Sequence, residues 1–341
     1  MTGEGELGGK LLEGVSRSFY LTLKALPHGL REPLSLAYLL ARVADTLADT
    51  PQVREAVKQE CLTEFDRLVQ LPSPDAAAEV ALCELLVRDF VPFQEDADEA
   101  NLLRHLPEAF TAFWATPARQ AQAIREVLRP IVRGQLMDIQ RFPVDGQLRA
   151  LEAAVELDEY TYLVAGCVGE FWTKLCSREA EGAFGSGVPF EKMLDLGRRY
   201  GQGLQLVNIL RDIGKDVRMG RCYFPAEELA AHGLNLAQVQ QDPARLFPLT
   251  GQWRASCREH LECGVAYLDA VQHRRLRYAT ALPLLLGIRT LALINRAEPN
   301  ALMQGVKVSR GEVAKILLEA SIASLRQHGI RKMAERLLAG C

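Results

Sequence analysis

The chain has 341 residues, 48% of them hydrophobic, with 40 Lys and Arg against 43 Asp and Glu and a pI near 6.1. That is ample apolar material for a large core and lies well outside the disordered range. There is no basic excess of the kind that marks a nucleic-acid surface. The eight cysteines are scattered, with no CxxC pair and no Cys/His cluster. They read as free thiols of a reducing compartment, not as disulfide staples or a zinc site.

Residues 1–14 are polar and glycine-rich and read as a loose tail; nothing there looks like a signal peptide, so the expected location is cytoplasmic. Helical spacing then marks 34–50, 54–70, 75–91, 98–115, 118–140, 147–164, 190–213, 226–238, 251–273, 281–296 and 309–338. Proline, glycine and acids mark the connections, as in PSPD (72–75), FPVDG (142–146) and GAFGSG (182–187). Alternating β-branched runs and hairpin dipeptides are almost absent, so the fold class expected is all-α. No composition break divides 15–341, which is read as a single helical domain. The most apolar run, ATALPLLLGIRTLALI (279–294), is interrupted by Arg289 and falls short of the ~18–20 apolar residues of a membrane span. It is expected to be a buried helix starting near Pro283. Peripheral contact with a bilayer stays open.

Two acidic motifs stand out. DTLAD places Asp45 and Asp49 in an otherwise apolar stretch, and RDIGKD repeats the spacing at Asp212 and Asp216. Acids at i and i+4 stand one above the other on a helix. As like charges they destabilise a surface helix by roughly 0.2–0.5 kcal/mol, and an apolar wall makes this worse. Tyr38, Arg42, Asp45 and Asp49 form one polar stripe; Gln205, Asn208, Asp212 and Asp216 form the other. Either pair alone is as easily a turn acid or a solvated residue. Both together, with amides and flanking arginines, suit Mg²⁺, which binds through one or two carboxylates plus phosphate oxygens. Arg42 and Arg211 are placed to clamp phosphate oxygens.

Four blocks, SRSFYLTLKALP (16–27), YLLARVADTLAD (38–49), DEYTYLVAGCVGE (158–170) and QLVNILRDIGKDVRMGRCYFP (205–225), resemble the head-to-head prenyl synthases, the squalene and phytoene synthases. The resemblance covers roughly 15–320 and implies an isoprenoid-synthase helical fold around a central cavity. It assigns Asp45, Asp49, Asp212 and Asp216 to metal, and Ser16, Arg17, Ser18, Phe19, Tyr38, Gln205, Asn208, Arg221 and Tyr223 to substrate. Tyr160, Arg42, Arg211, Asp45 and Asp212 are its catalytic positions. Phe19, Tyr38, Tyr160, Tyr162 and Phe171 are candidate walls of the pocket. It further implies two farnesyl diphosphates joined to presqualene diphosphate with Mg²⁺, then reduction to squalene with NADPH. Relatives without the hydride step lose a proton and give dehydrosqualene or phytoene.

The branch is read from two places. Ala281-Leu282-Pro283 followed by Lys307 through Gly311 is similar to the squalene synthase ending, and Ala44 stands where phytoene synthases often carry another acid. The block NILRDIGKDVRMGRCYFP fits either branch. There is no Rossmann half, which squalene synthases also lack. Gly166 and Gly169 are open to two roles, close helix approach or room for a prenyl chain. The six histidines receive no role.

Overall fold

Apolar residues recurring at helical spacing build the elements, and their burial rather than local propensity holds them. The computed structural model describes residues 7–16, 19–185, 187–326 and 328–341, and it is all-α. The chain clusters into two compact units, Met1–Gln140 with Lys174–Ala180, and Arg141–Thr173 with Glu181–Cys341. The crossings at 140–141 and 180–181 adjoin FPVDG (142–146) and GAFGSG (182–187), which read as ordinary helix connections, and the crossing at 173–174 falls inside a helix. That is why the sequence shows no break.

The first unit holds α1 (Leu12–Ser16), α2 (Phe19–Ala25), α3 (His28–Ala48), α4 (Glu55–Gln70), α5 (Ala76–Asp89), α6 (Ala97–Arg104), α7 (Leu106–Ala115) and α8 (Ala118–Arg141). Within the expected loose tail 1–14, residues 1–6 lie outside the described residues, whereas residues 7–11 wind into a π-type turn and Leu11 and Leu12 are buried. In α3, Leu30, Leu34, Ala37, Leu40, Ala44 and Leu47 are all buried and form its core stripe. The helix begins at His28, not at 34, since Pro33 near its start removes only one intrahelical bond. The expected helix 98–115 is two: Pro107, near the start of α7, restarts the chain after His105.

The second unit holds β1 (Arg149–Ala150), α9 (Ala154–Thr161), a wide π-type stretch Tyr162–Gly166, α10 (Cys167–Glu179, whose last turns belong to the first unit), α11 (Phe190–Arg218) and β2 (Arg221–Cys222). Then come α12 (Ala226–Ala231), α13 (Leu236–Gln241), α14 (Thr250–Ala270), α15 (Arg274–Arg296), α16 (Pro299–Gln304), α17 (Arg310–Ala323) and α18 (Gly329–Leu338). Residues 147–153 are not helical as expected. Their backbone donors go sideways, Arg149 N–H to Gly220 O (3.0 Å) and Leu151 N–H to Cys222 O (3.2 Å), in a two-residue parallel pairing of β1 with β2. Gly220, at φ 82, makes the turn from α11 that allows it. The sequence reading missed α10. It also merged α12 with α13, which Gly233 separates at φ 68, and α17 with α18.

Helix α15 runs through Pro283 rather than starting there. Tyr200 donates to the Thr280 carbonyl (2.9 Å) in the turn that the proline loosens. By length and mean hydropathy (1.4 over 18 residues) α15 is the one helix among the described residues that could cross a membrane, yet 67% of that window is buried inside the protein. It is a core helix: Leu284, Leu285, Ile288 and Leu291 are fully enclosed.

Candidate active site

In the first unit, α3 carries the first acid pair in its last turns. Asp49 is the residue that closes the helix, its N–H bonded to Asp45 O. This is the partly negative end of the helix dipole, and the last turn holds no basic residue. The buried Lys58 of α4 donates to the Ala48 carbonyl (3.1 Å) and offsets part of that charge. Arg42, one turn back, pairs with both Asp45 and Glu99 of α6. Gln135 of α8 donates to Asp45 Oδ1 (3.2 Å). The Asp45 side chain keeps 34% of its surface, so it lines a recess rather than a sealed core. Burial first, then the neighbouring Asp49, lifts its carboxyl to about 6, with Arg42 pulling the other way. Burial opposes the charge of Arg42, but Asp45 and Glu99 outweigh it and hold the guanidinium pKa above its ordinary value.

The entry segment leads to the same helix. Phe19 stacks on Tyr38 (centroids 5.2 Å apart), and Tyr38 donates to the Val15 carbonyl (3.1 Å). The buried Ser16 hydroxyl is turned to the Leu12 carbonyl of its own helix. Arg17 and Ser18 lie outside the described residues.

In the second unit, α11 presents Gln205, Asn208, Arg211, Asp212 and Asp216. Arg211 holds Asp212 with two bonds, 2.9 Å from Nε and 2.5 Å from Nη2. That hydrogen bonding, with the charges of both aspartates, raises the arginine's pKa against burial. Asn208 donates to Gln205 (3.2 Å). A small cavity of about 10 Å³, water-sized, brings Asp216 together with Arg221, Tyr223, Ile213 and Leu246. Tyr223 stacks on Tyr160 (4.9 Å, 23°) with the two hydroxyls 3.3 Å apart, and Phe142 meets Tyr223 edge-on at 5.1 Å.

Glycines position this helix. A Cβ on Gly169 would sit 1.9 Å from the Gly197 carbonyl oxygen, and one on Gly214 would sit 1.9 Å from that of Met303. Gly169 therefore serves close approach of α10 to α11, and Gly214 admits α16 against the turn between Asp212 and Asp216. A Cβ on Gly166 would press less hard, 3.0 Å from Gln202 Cγ.

The sequence reading missed Glu99, Gln135 and Phe142. Gln135 had a signal: with Asp138 it puts short polar groups among the buried Ile131, Val132 and Ile139 of α8, and both are buried. Glu99 had none, sitting in the acidic run EDADEA.

Among the described residues no three His, Cys, Asp or Glu converge into a complete ligand set. The donors nevertheless fit Mg²⁺, which favours short carboxylates, keeps water and takes its remaining ligands from phosphate. The acid excess around Asp45 and Asp49 is the observation that calls for a cation.

The family model for squalene/phytoene synthase matches residues 12–312. A squalene synthase of Eremothecium gossypii is 26% identical over 96% of this chain and 71% of its own length. A presqualene diphosphate synthase of Rhodopseudomonas palustris is 27% identical over 89% of this chain and 93% of its own. Against a bifunctional lycopene cyclase/phytoene synthase of Phaeosphaeria nodorum the identity is 30% over 68% of this chain, which spans only 36% of that protein's length. The solved complex of TcSQS with the ligand BPH1237 aligns with a TM-score of 0.75 at 20% identity, over 96% of this chain and 89% of that one, a likeness of fold. The chain belongs to the squalene/phytoene synthase family, enzymes that join prenyl units head to head.

Proposed function

We propose that this chain condenses two farnesyl diphosphates to presqualene diphosphate and reduces that intermediate to squalene. The observation that carries the reading is the pair of aspartate doublets, each beside its own arginine, on helices that are otherwise core-like. Asp45 and Asp49, and Asp212 and Asp216, would hold Mg²⁺, which neutralises charge developing on a departing diphosphate. Arg42 and Arg211 donate to phosphate oxygens by exchanging an aspartate partner for the substrate. The Gln205 and Asn208 amides lie on the same stripe of α11 and orient oxygens beside them.

The stacked Tyr160 and Tyr223, with Phe142 on edge, give an enclosed aromatic surface. Such faces stabilise an allylic cation and keep water from it. The departing diphosphate is basic enough to take the proton, so no histidine is required. NADPH, when bound, would supply a hydride. The described residues hold no glycine-rich strand-to-helix turn of the dinucleotide-binding kind. The alternative, a dehydrosqualene or phytoene synthase, ends instead by proton loss.

The test is purified protein with farnesyl diphosphate and Mg²⁺, with and without NADPH, the products read by mass spectrometry. Squalene should form only with NADPH, and presqualene diphosphate or a dehydro product without it. Hydrocarbon output indifferent to NADPH would overturn the reductive half, and so would presqualene diphosphate as the end product in both cases. A parallel reaction with geranylgeranyl diphosphate reports chain length.

A further inference from the structure

Helix α17 has a second face that the catalytic reading does not use. Its inner side is fixed: Ile316 and Ala320 are buried, Ser309 and Glu312 form a capping box at its start, and Glu312 is paired with Arg289 of α15 at 2.5 Å. Its outer side is apolar. Leu318, Ile322 and, in the following turn, Leu325 are 63%, 61% and 64% exposed, at i, i+4 and i+7. Exposed Ala314 and Ser321 complete the stripe. Three large aliphatic groups held in water on one rigid face are a marked site, not scattered exposure.

The charge around the stripe says what fits it. Residues 307–341 hold seven Lys and Arg against three Asp and Glu, a net +4 in a chain whose formal charge is −3. Lys307, Arg310, Lys315 and Arg326 are exposed. On the helical wheel Arg310 falls on one side of the stripe, and Lys315 and Arg326 on the other. The two acids of the helix are engaged, Glu312 with Arg289 and Glu319 with Arg336 at 2.7 Å and more loosely with Lys315 at 3.9 Å, whose side chain stays 75% exposed. A second copy of this face would bring cation against cation. Three side chains also fall far short of the ~800 Å² per partner that a stable protein interface buries. An aliphatic stripe rimmed by cations matches the boundary of an anionic bilayer, where apolar groups enter the acyl region and Lys and Arg meet headgroup phosphates.

We propose that α17, through Leu318, Ile322 and Leu325 with flanking Lys307, Arg310, Lys315 and Arg326, docks the protein on an anionic lipid surface. The inference does not depend on which prenyl product the site makes.

The experiment uses the full chain without substrate and vesicles of phosphatidylcholine with or without phosphatidylglycerol, binding being read by flotation. The wild type should float with the anionic vesicles, weakly with the neutral ones, and less as salt is raised. Leu318→Ser with Ile322→Ser should lower partitioning at least tenfold, and Lys307→Gln with Arg326→Gln several-fold. Both variants should keep the wild-type melting temperature and the wild-type condensation rate on soluble prenyl diphosphate. No flotation of the wild type, or equal flotation of the serine variant, overturns the proposal. A wild-type dimer in solution that the serine variant splits assigns the face to a second copy instead.

Discussion

Asp45 and Asp49 end a helix whose last turn has no cation, whereas Asp212 and Asp216 lie in a helix whose last turn carries Lys215 and Arg218. Around the first pair, Glu99 adds a third carboxylate and Arg42 is divided between two of them. Around the second, Arg211 is committed to one aspartate by two bonds. The same sequence spacing thus yields a pair whose arginine is shared with a third carboxylate in one unit and a pair whose arginine grips one aspartate in the other. Each pair has an arginine from its own chain, but Arg42 is shared with Glu99, whereas Arg211 bonds Asp212. A duplicated motif reports the ligand type, and its neighbours decide how strongly each copy needs the ligand.

The largest effects test whether both pairs matter. Asp45→Asn and Asp212→Asn should each cut condensation by about 10³-fold or more, since each removes a carboxylate needed where diphosphate charge develops. Circular dichroism should show the helices intact. Full activity in either variant removes that pair from the metal assignment. Tyr160→Phe takes away one of two hydroxyls that lie 3.3 Å apart while keeping the stacked ring. Turnover should fall about tenfold with a change in melting temperature of a few degrees at most; unchanged turnover would leave Tyr160 a packing residue. Glu99→Gln is specific to the first pair. It frees Arg42 to close on Asp45, so the Mg²⁺ concentration for half-maximal rate should rise several-fold while the maximal rate changes less.

Much of the arrangement was legible in the sequence, and the misses share one cause. The aspartates, both arginines and the amides declared themselves because short polar groups recur at helical spacing within apolar stretches. The all-α class followed from the same periodicity. Glu99 and Gln135 meet Asp45 and Arg42 from helices 50 to 90 residues away, and no local pattern encodes a long-range partner. Pro33 and Pro283 misled the helix starts, because tertiary packing carries a helix through one missing bond. The alternatives left open for Gly169 closed only when the Gly197 carbonyl was found against it. Residues 147–153 carry no strand signal, because β1 pairs with a strand some 70 residues later and a two-residue strand has no periodicity to detect.

The smallest effect separates the two pairs by pH. The Asp45 carboxyl is raised to about 6 from its ordinary 3.8. Between those values the folded protein binds a proton that the unfolded chain has released. Stability therefore falls as pH rises through this window, and the full penalty is present above about 6. About a third of the side chain meets water. With that screening the cost is on the order of 1 kcal/mol, or roughly 1–2 °C in melting temperature for a chain of this size. In chelator, the melting temperature should drop by this amount between about pH 4 and 7, with the fall complete shortly above pH 6, because of Asp45 alone. Asp45→Asn should flatten that part of the profile, and so should saturating Mg²⁺, because a bound cation favours the ionised carboxylate. If Asp45→Asn leaves the profile unchanged, the recess is better balanced than its neighbours indicate, and the contrast between the two pairs is lost.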